Sequence, residues 1–165
     1  MKLESMYQEI ILDHYRNPHH KGLREPFDAE VHHVNPTCGD EVTLRVRLAD
    51  DGTTVEDVSY ESLGCSISQA SVSVMTDLVI GRSLDEASTA YEAFLALMRA
   101  KGDASSAAAS VEGDLEEVLE DAVAFEGVSK YPARIKCALL GWMAWKDATA
   151  RAAGVDEHET AEEMA

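Results

Sequence analysis

Residues 42–52 read VTLRVRLADDG and contain the pattern that decides the fold. Apolar residues occupy every second position from Val42 to Leu48 and alternate with threonine and arginine. This alternation is typical of a strand with one buried and one solvated face. The DDG sequence at residues 50–52 is a hairpin turn, and residues 55–63 follow as the return strand. The stretch therefore predicts an antiparallel hairpin.

The flanking segments predict one more strand and several helices. A short strand is expected at about residues 29–34, and helical spacing of apolar residues appears both before the strands and after them. The predicted helices are residues 4–16, a helix that follows Gly64-Cys65 and ends near Gly81, one opened by a Ser83/Glu86 capping box and closed by Gly102, a short one from Leu115, and a long one from Pro132 to near Gly154. Residues 103–113, rich in alanine and serine, are expected to form a loop. This order predicts an α+β fold in which helices pack on a three-stranded antiparallel sheet.

Length and charge limit the classes of function. The 165 residues fit a single domain, which we expect to span residues 1–154. The acidic segment 155–165 is expected to be a disordered tail. A net charge of −17 repels phosphate backbones and anionic lipid surfaces, so nucleic-acid binding is not expected.

The cysteine count and the hydropathy pattern indicate in which cellular compartment the protein is expected. The three cysteines are an odd number, and the first 30 residues contain no apolar run flanked by basic residues, so neither a disulfide framework nor a secretory signal is indicated. No stretch approaches the roughly 20 apolar residues of a membrane span. We expect a cytoplasmic protein that does not bind membranes and is a monomer.

The three cysteines, at positions 38, 65 and 137, lie far apart in the sequence. Gly39 allows a tight turn between Cys38 and Asp40, and Cys65 lies where a strand passes into a helix. With Cys137 these residues form a possible tetrahedral Zn²⁺ site of three sulfurs and one oxygen. The alternative is that the thiols are small buried side chains, and spacing alone leaves both interpretations open.

Arginine, histidine and aromatic side chains are further candidates for this site. Arg134 precedes Cys137 by one helical turn, which suits either a role at the site or an ordinary surface position. None of the histidines is assigned to the metal: His14 follows the apolar stripe of the first helix, and His32 and His33 are expected to be strand residues. Three side chains of the last helix are expected to pack in the core or against other helices rather than to bind a cofactor, namely Trp142, Met143 and Trp145.

Longer motifs resemble a known family. The sequence reads YQEIILDHYRNP at residues 7–18, NPTCGD at 35–40, GCSISQAS at 64–71 and RIKCALLGW at 134–142. These blocks, in this order, resemble the SufU proteins, which are relatives of the IscU iron–sulfur scaffold family. The resemblance covers essentially all of the chain except the tail.

The resemblance implies a function. SufU proteins are zinc-dependent sulfurtransferases that accept persulfide sulfur from a cysteine desulfurase of the SufS type and relay it to iron–sulfur assembly, with a SufBCD-type scaffold downstream. Carried over to this chain, it implies that Asp40, Cys65 and Cys137 hold Zn²⁺ and that Cys38 is the ligand that leaves the metal to accept sulfur. Arg134 is then a candidate for stabilising thiolate charge or docking the desulfurase.

Two alternatives stay open. One is an IscU-type scaffold that assembles a transient [2Fe–2S] cluster on the same ligands. IscU proteins usually carry a histidine before the last cysteine and a Leu-Pro-Pro-Val-Lys stretch shortly before it, whereas this chain has Lys136 and no such stretch. Residues 99–126 also resemble the extra segment characteristic of SufU. The second alternative is a non-catalytic domain with a structural zinc.

Overall fold

The computed structural model describes residues 3–36, 39–100 and 115–154. Its sheet has the order β1-β2-β3 with antiparallel pairing throughout, as the sequence predicts. The strands are β1, Ala29–Asn35, β2, Asp40–Leu48, and β3, Val55–Leu63. Buried side chains alternate along the whole of β2, so the strand at the centre of the sheet has one face in the core.

Helices cover the buried face of the sheet. The α-helices are α1, Leu3–Arg16, α2, Ser66–Val79, α3, Leu84–Arg99, α4, Leu115–Leu119, and α5, Pro132–Ala152, with a 3₁₀ helix at Glu120–Lys130 between α4 and α5. The helix α5 packs on β1, β2 and α2, while α1 packs on α2 and on the 3₁₀ helix. The predicted capping box of α3 is present, since Ser83 Oγ accepts from the Glu86 N–H at 3.1 Å.

Aromatic side chains fill the space between α3, α5 and the 3₁₀ helix. Phe94 stacks on Trp142 with ring centroids 4.6 Å apart, and Phe125 meets Phe94 edge-on at 5.9 Å. Trp142 and Trp145 are buried, as predicted, but Met143 is half exposed, so it is not a core residue. Met143 lies two helical turns after Lys136, so it shares the solvent side of α5 with that exposed lysine.

The helix that begins at Leu115 is short, as predicted. It ends at Leu119 and continues as a 3₁₀ helix, with Glu120 at φ 46° at the junction. The predicted loop 103–113, the predicted closing residue Gly102 and the acidic tail lie outside the described residues. Within the described part of the chain, no helix is both long enough and apolar enough to cross a membrane.

Gly141 lies at the close approach of α5 to α2. A Cβ atom at this position would lie 2.7 Å from Val72 Cβ and 3.2 Å from Val72 Cα, closer than real Cβ contacts. The two helices therefore approach each other only because position 141 has no side chain. This approach matters for function because each helix carries one of the cysteines.

We expect Gly141→Ala to lower the free energy of unfolding by about 1–3 kcal/mol, because the added methyl group overpacks the contact between α2 and α5. The matched control is Gly127→Ala in the 3₁₀ helix, where an added Cβ meets no heavy atom within 4 Å. The control is expected to be neutral or stabilising by up to about 1 kcal/mol. Urea unfolding measures both, and equal effects would contradict the packing argument.

Candidate metal centre

The first side chain of the centre is presented where β1 turns into β2. Asn35 pairs with Asp40 at the last position of the ladder, and the Gly39 N–H donates to the Asn35 carbonyl oxygen at 2.8 Å. Gly39 has φ +76°, a conformation that glycine adopts without steric cost. Asp40 begins β2 with only 2% of its surface exposed. A carboxylate at this depth requires polar or cationic partners.

The second side chain follows the neighbouring strand. The strand β3 ends beside the start of β2, because Leu63 pairs with Glu41, and Gly64 then connects it to α2. The Cys65 N–H donates to Asp40 Oδ1 at 3.1 Å, and Cys65 Sγ lies 3.8 Å from Asp40 Oδ2. The carboxylate of Asp40 is therefore hydrogen-bonded to the backbone of Cys65, the residue that carries the second thiol.

Two residues of α2 brace this segment, and the sequence analysis did not single them out. Ser68 Oγ donates to the Cys65 carbonyl oxygen at 3.1 Å and lies 3.9 Å from Cys65 Sγ. Gln69 Nε2 donates to the Gly64 carbonyl oxygen at 2.8 Å. Their spacing of three and four residues from Cys65 is the only sequence signal for this role.

The third side chain comes from the last helix. Cys137 lies in the second turn of α5, is 1% exposed, and its Sγ lies 3.8 Å from the Ala133 carbonyl oxygen. One ligand atom from each of Asp40, Cys65 and Cys137 lies within 4.8 Å of the other two. The structure thus brings together three of the four residues predicted as ligands.

This donor set suits a tetrahedral Zn²⁺ ion. Thiolate and carboxylate are both zinc ligands, and two sulfurs at about 2.3 Å from zinc in a tetrahedron lie about 3.8 Å apart. The ligand atoms, none more than 4.8 Å from another, reach this spacing with small side-chain adjustments. The three residues fill three of the four positions of such a site, so a fourth donor completes it.

The remaining predicted site residues are placed as follows. Cys38 lies outside the described residues, so its role as acceptor and as fourth ligand stays a prediction. Arg134 is exposed, one turn before the buried Cys137, and its role also stays a prediction. Lys136, which occupies the position before the last cysteine, is exposed as well.

None of the histidines of the described chain belongs to the Asp40, Cys65 and Cys137 group. His32 Nδ1 lies 2.9 Å from Thr43 Oγ1 on the open face of the sheet, and His33 Nε2 lies 2.8 Å from Asp147 Oδ2. Burial by itself would raise the pKa of Asp147, but hydrogen bonds from His33 and Arg151 hold that pKa below its ordinary value. These histidines therefore have structural partners away from the metal centre.

The fold and the site together define the class of protein. Its three-stranded antiparallel sheet with packed helices is the fold of the solved structures that it resembles. The family model of the NifU-like N-terminal domain matches residues 6–138, and the chain belongs to this family.

Three individual proteins show how similar the chain is to members of this family. The chain is 40% identical over 153 residues to the zinc-dependent sulfurtransferase SufU of Bacillus subtilis strain 168, covering 92% of this chain and 95% of that protein. It is 38% identical over 152 residues to the iron–sulfur cluster assembly scaffold protein IscU of Streptococcus pyogenes serotype M1, covering 92% and 87%. The crystal structure of a NifU-like N-terminal protein from Brucella abortus superposes with a TM-score of 0.74 at 28% identity, covering 93% of this chain and 96% of that one.

We expect Gly64→Ala to weaken metal binding at the centre by at least about tenfold, the effect typical of disturbing a partner of a metal ligand. A Cβ at residue 64 would lie 2.7 Å from Asp40 Cγ and from Ser68 Oγ, and φ +154° disfavours any side chain there. Competition with a chelator, read by zinc quantification, measures the change.

The control for this variant is Gly52→Ala in the hairpin turn. Gly52 also has a positive φ, +71°, but an added Cβ meets nothing within 4 Å. We expect a loss of stability without a loss of metal affinity. If both variants release zinc equally, general destabilisation rather than the displacement of Asp40 explains the result.

Proposed function

We propose that this chain is a zinc-dependent sulfurtransferase, a monomer that accepts persulfide sulfur from a cysteine desulfurase of the SufS type and relays it to a SufBCD-type assembly complex. The observation that carries the proposal is the convergence of Asp40, Cys65 and Cys137 within 4.8 Å. The 40% identity to a zinc-dependent sulfurtransferase over 92% of the chain supports it.

The proposed ligands are Asp40, Cys65, Cys137 and Cys38. Bound zinc would hold thiols as thiolates at neutral pH without itself undergoing oxidation or reduction. Chain connectivity supports Cys38 as the fourth ligand. It lies two residues before Asp40, so the Cα atoms of the two residues are at most about 7.6 Å apart. The hydrogen bond from the Cys65 N–H holds Asp40 in place, whichever residue occupies the fourth position.

The sulfur-transfer step is a thiol–persulfide exchange. The Cys38 thiolate attacks the terminal sulfur of the desulfurase persulfide, R–S–SH, and a new S–S bond forms as the old one breaks. The donor cysteine leaves as the thiolate R–S⁻, and the product is a persulfide on Cys38. Charge and the number of sulfurs are conserved, and no external oxidant is needed. In the proposal Cys65 and Cys137 stay in place, since Cys65 is half-buried between β3 and α2 and Cys137 is buried within α5.

Exposed apolar side chains next to the centre support a protein donor. Val34 and Leu63 both pair with Glu41, so the three side chains point to the same open face, and Val34 is 49% and Leu63 69% exposed. Tyr131, at the N-terminus of α5, is 63% exposed. Aromatic and large apolar groups at the surface are typical of protein interfaces. In the proposal they contact the desulfurase.

An IscU-type scaffold is the second candidate function, since one of the relatives carries that name. Lys136 argues against it, because an exposed ammonium group takes the place of the histidine expected in scaffolds. A structural zinc domain is the third candidate. Its zinc would stabilise the fold, but no thiol would accept sulfur.

We expect Cys38→Ser to abolish sulfur acceptance, since serine cannot form a persulfide. The measurement is transfer of ³⁵S from a desulfurase loaded with labelled cysteine, followed on non-reducing gels. Cys65→Ser is the matched variant, because it replaces a thiol that the proposal assigns to the metal alone: it should lose zinc and retain part of the labelling. Full labelling of Cys38→Ser would overturn the assignment of the acceptor.

The metal content distinguishes the other candidates in the same preparations. Protein purified without oxygen should contain about one zinc at the centre and show no iron–sulfur absorption. A visible spectrum of a [2Fe–2S] cluster, lost in each cysteine variant, would favour the scaffold. Zinc without any ³⁵S labelling would favour the structural domain.

Arg134→Ala is expected to slow sulfur acceptance about fivefold, equivalent to about 1 kcal/mol, because it removes a positive charge one turn from Cys137. Lys136→Ala is the matched control, since it removes the same charge from an exposed position two residues further on, on a different side of α5. Initial rates of labelling with zinc content unchanged measure the difference. Equal losses in the two variants would indicate a general charge effect.

A further inference from the structure

A second group of metal-ligating side chains lies at the other end of α2. His14 in the last turn of α1, His19 in the loop that follows, and Asp77 in the last turn of α2 each offer a ligand atom within 4.8 Å of the other two. His20 Nε2 lies 3.3 Å from Asp77 Oδ1, and Asp121 Oδ2 lies 3.6 Å from His14 Nε2. Three imidazoles and two carboxylates thus meet where α1, α2 and the 3₁₀ helix join.

The loop that carries two of these histidines is held by hydrogen bonds to other elements. The His19 N–H donates to Ser73 Oγ at 2.8 Å, and the Gly22 N–H donates to the Tyr60 carbonyl oxygen at 2.7 Å. Arg24 pairs with Asp57 at 2.8 Å and donates to the His20 carbonyl oxygen at 3.3 Å. These bonds place His19 and His20 in their observed positions, and they use backbone atoms of the two histidines rather than their rings.

His20 has an unfavourable backbone conformation, which places its ring beside Asp77. Its φ is +61°, in the left-handed region that few residues other than glycine adopt. The conformation brings its ring to Asp77, so that both carboxylate oxygens of Asp77 face a histidine nitrogen, Oδ2 at 2.6 Å from His19 and Oδ1 at 3.3 Å from His20. Backbone strain of this kind is found where a surrounding site requires it.

His14 has the environment of a metal-bound histidine. Its ring is buried, its Nδ1 lies 2.8 Å from Ser73 Oγ, and its Nε2 is the nitrogen that this serine leaves available. Histidines that bind metals usually donate their other N–H to a fixed acceptor, which sets the orientation of the ring. Ser73 Oγ lies where such an acceptor would be, and the same atom accepts the hydrogen bond of the His19 N–H.

We propose that His14, His19 and Asp77 bind a divalent transition-metal ion such as Zn²⁺, Co²⁺ or Ni²⁺, with His20 or Asp121 beside it. Two imidazole nitrogens and one carboxylate oxygen are donors that these ions prefer. Soft ions such as Cu⁺, which select thiolate ligands, are not expected here. Because His19, Asp77 and Asp121 are partly exposed, the ion would keep at least one water molecule. The site does not depend on the proposed sulfur transfer.

The bound ion would link α1, the following loop and α2. Cys65 precedes the first turn of α2 and Asp77 lies in its last turn, so the two sites are at opposite ends of one helix. The alternative without a metal is a cluster of hydrogen bonds and ion pairs between protonated histidines and carboxylates. It predicts no metal binding at all, so metal titration separates the two interpretations.

Cobalt titration of a protein without thiols tests the proposal. In Cys38→Ser/Cys65→Ser/Cys137→Ser, we expect one Co²⁺ per chain, with d–d absorption but without a thiolate-to-cobalt charge-transfer band. Adding His19→Ala or Asp77→Asn should weaken this binding at least about tenfold. The matched control is His32→Ala, since His32 is likewise exposed beside a carboxylate, Glu41, but in no metal-ligating group of three among the described residues. It should leave the affinity unchanged.

The unaltered chain provides a measurement that does not depend on the folding of the thiol-free protein. Equilibrium dialysis against Co²⁺ should load two ions per chain, and His19→Ala should load one while keeping the thiolate charge-transfer band. The proposal is overturned if the unaltered chain loads a single ion that gives the thiolate charge-transfer band, or if His19→Ala and His32→Ala lose binding equally.

Discussion

The hydrogen bond from the Cys65 N–H to Asp40 Oδ1 is the interaction on which the metal centre depends. It joins the start of β2 to the start of α2 at 3.1 Å and gives a partner to a carboxylate that is 2% exposed. A buried carboxylate without partners costs several kcal/mol, so folding favours the arrangement in which this bond forms. Gly64 is required for it, because any side chain there would occupy the position of Asp40.

Helix packing supplies the rest of the centre. Cys137 reaches Asp40 and Cys65 only because α5 crosses β1 and β2 while it lies close to α2. Gly141, one turn after Cys137, permits that approach by leaving room for Val72. The aromatic cluster around Trp142 then holds α5 in place through the stacked ring of Phe94. The proposed chemistry of the thiols therefore rests on a packing contact between two helices.

The helix α2 connects two proposed sites of different chemistry. The half-buried Cys65 directly precedes its N-terminal end, and its C-terminal end carries the exposed Asp77 beside the buried His14 and the half-buried His19. A site with thiolate donors suits the handling of sulfur, whereas nitrogen and oxygen donors suit an ion that links helices. The two sites share the fold, but neither uses a residue of the other.

Patterns within single segments predicted most of the secondary structure, and the sequence named the candidate ligands of the first centre. Alternation along β2 and the return strand at residues 55–63 follow from the local direction of side chains, which depends only on the backbone conformation of each segment. The same local reasoning does not give the exposure of Met143, which depends on the face of α5 that meets the sheet, or the change to 3₁₀ geometry at Glu120. The convergence of Asp40, Cys65 and Cys137, and the contact of His19 with Asp77 across 58 residues of chain, become visible only in the folded molecule. Contacts over such separations depend on how the helices and the sheet pack together. A periodic pattern within one segment does not predict that packing.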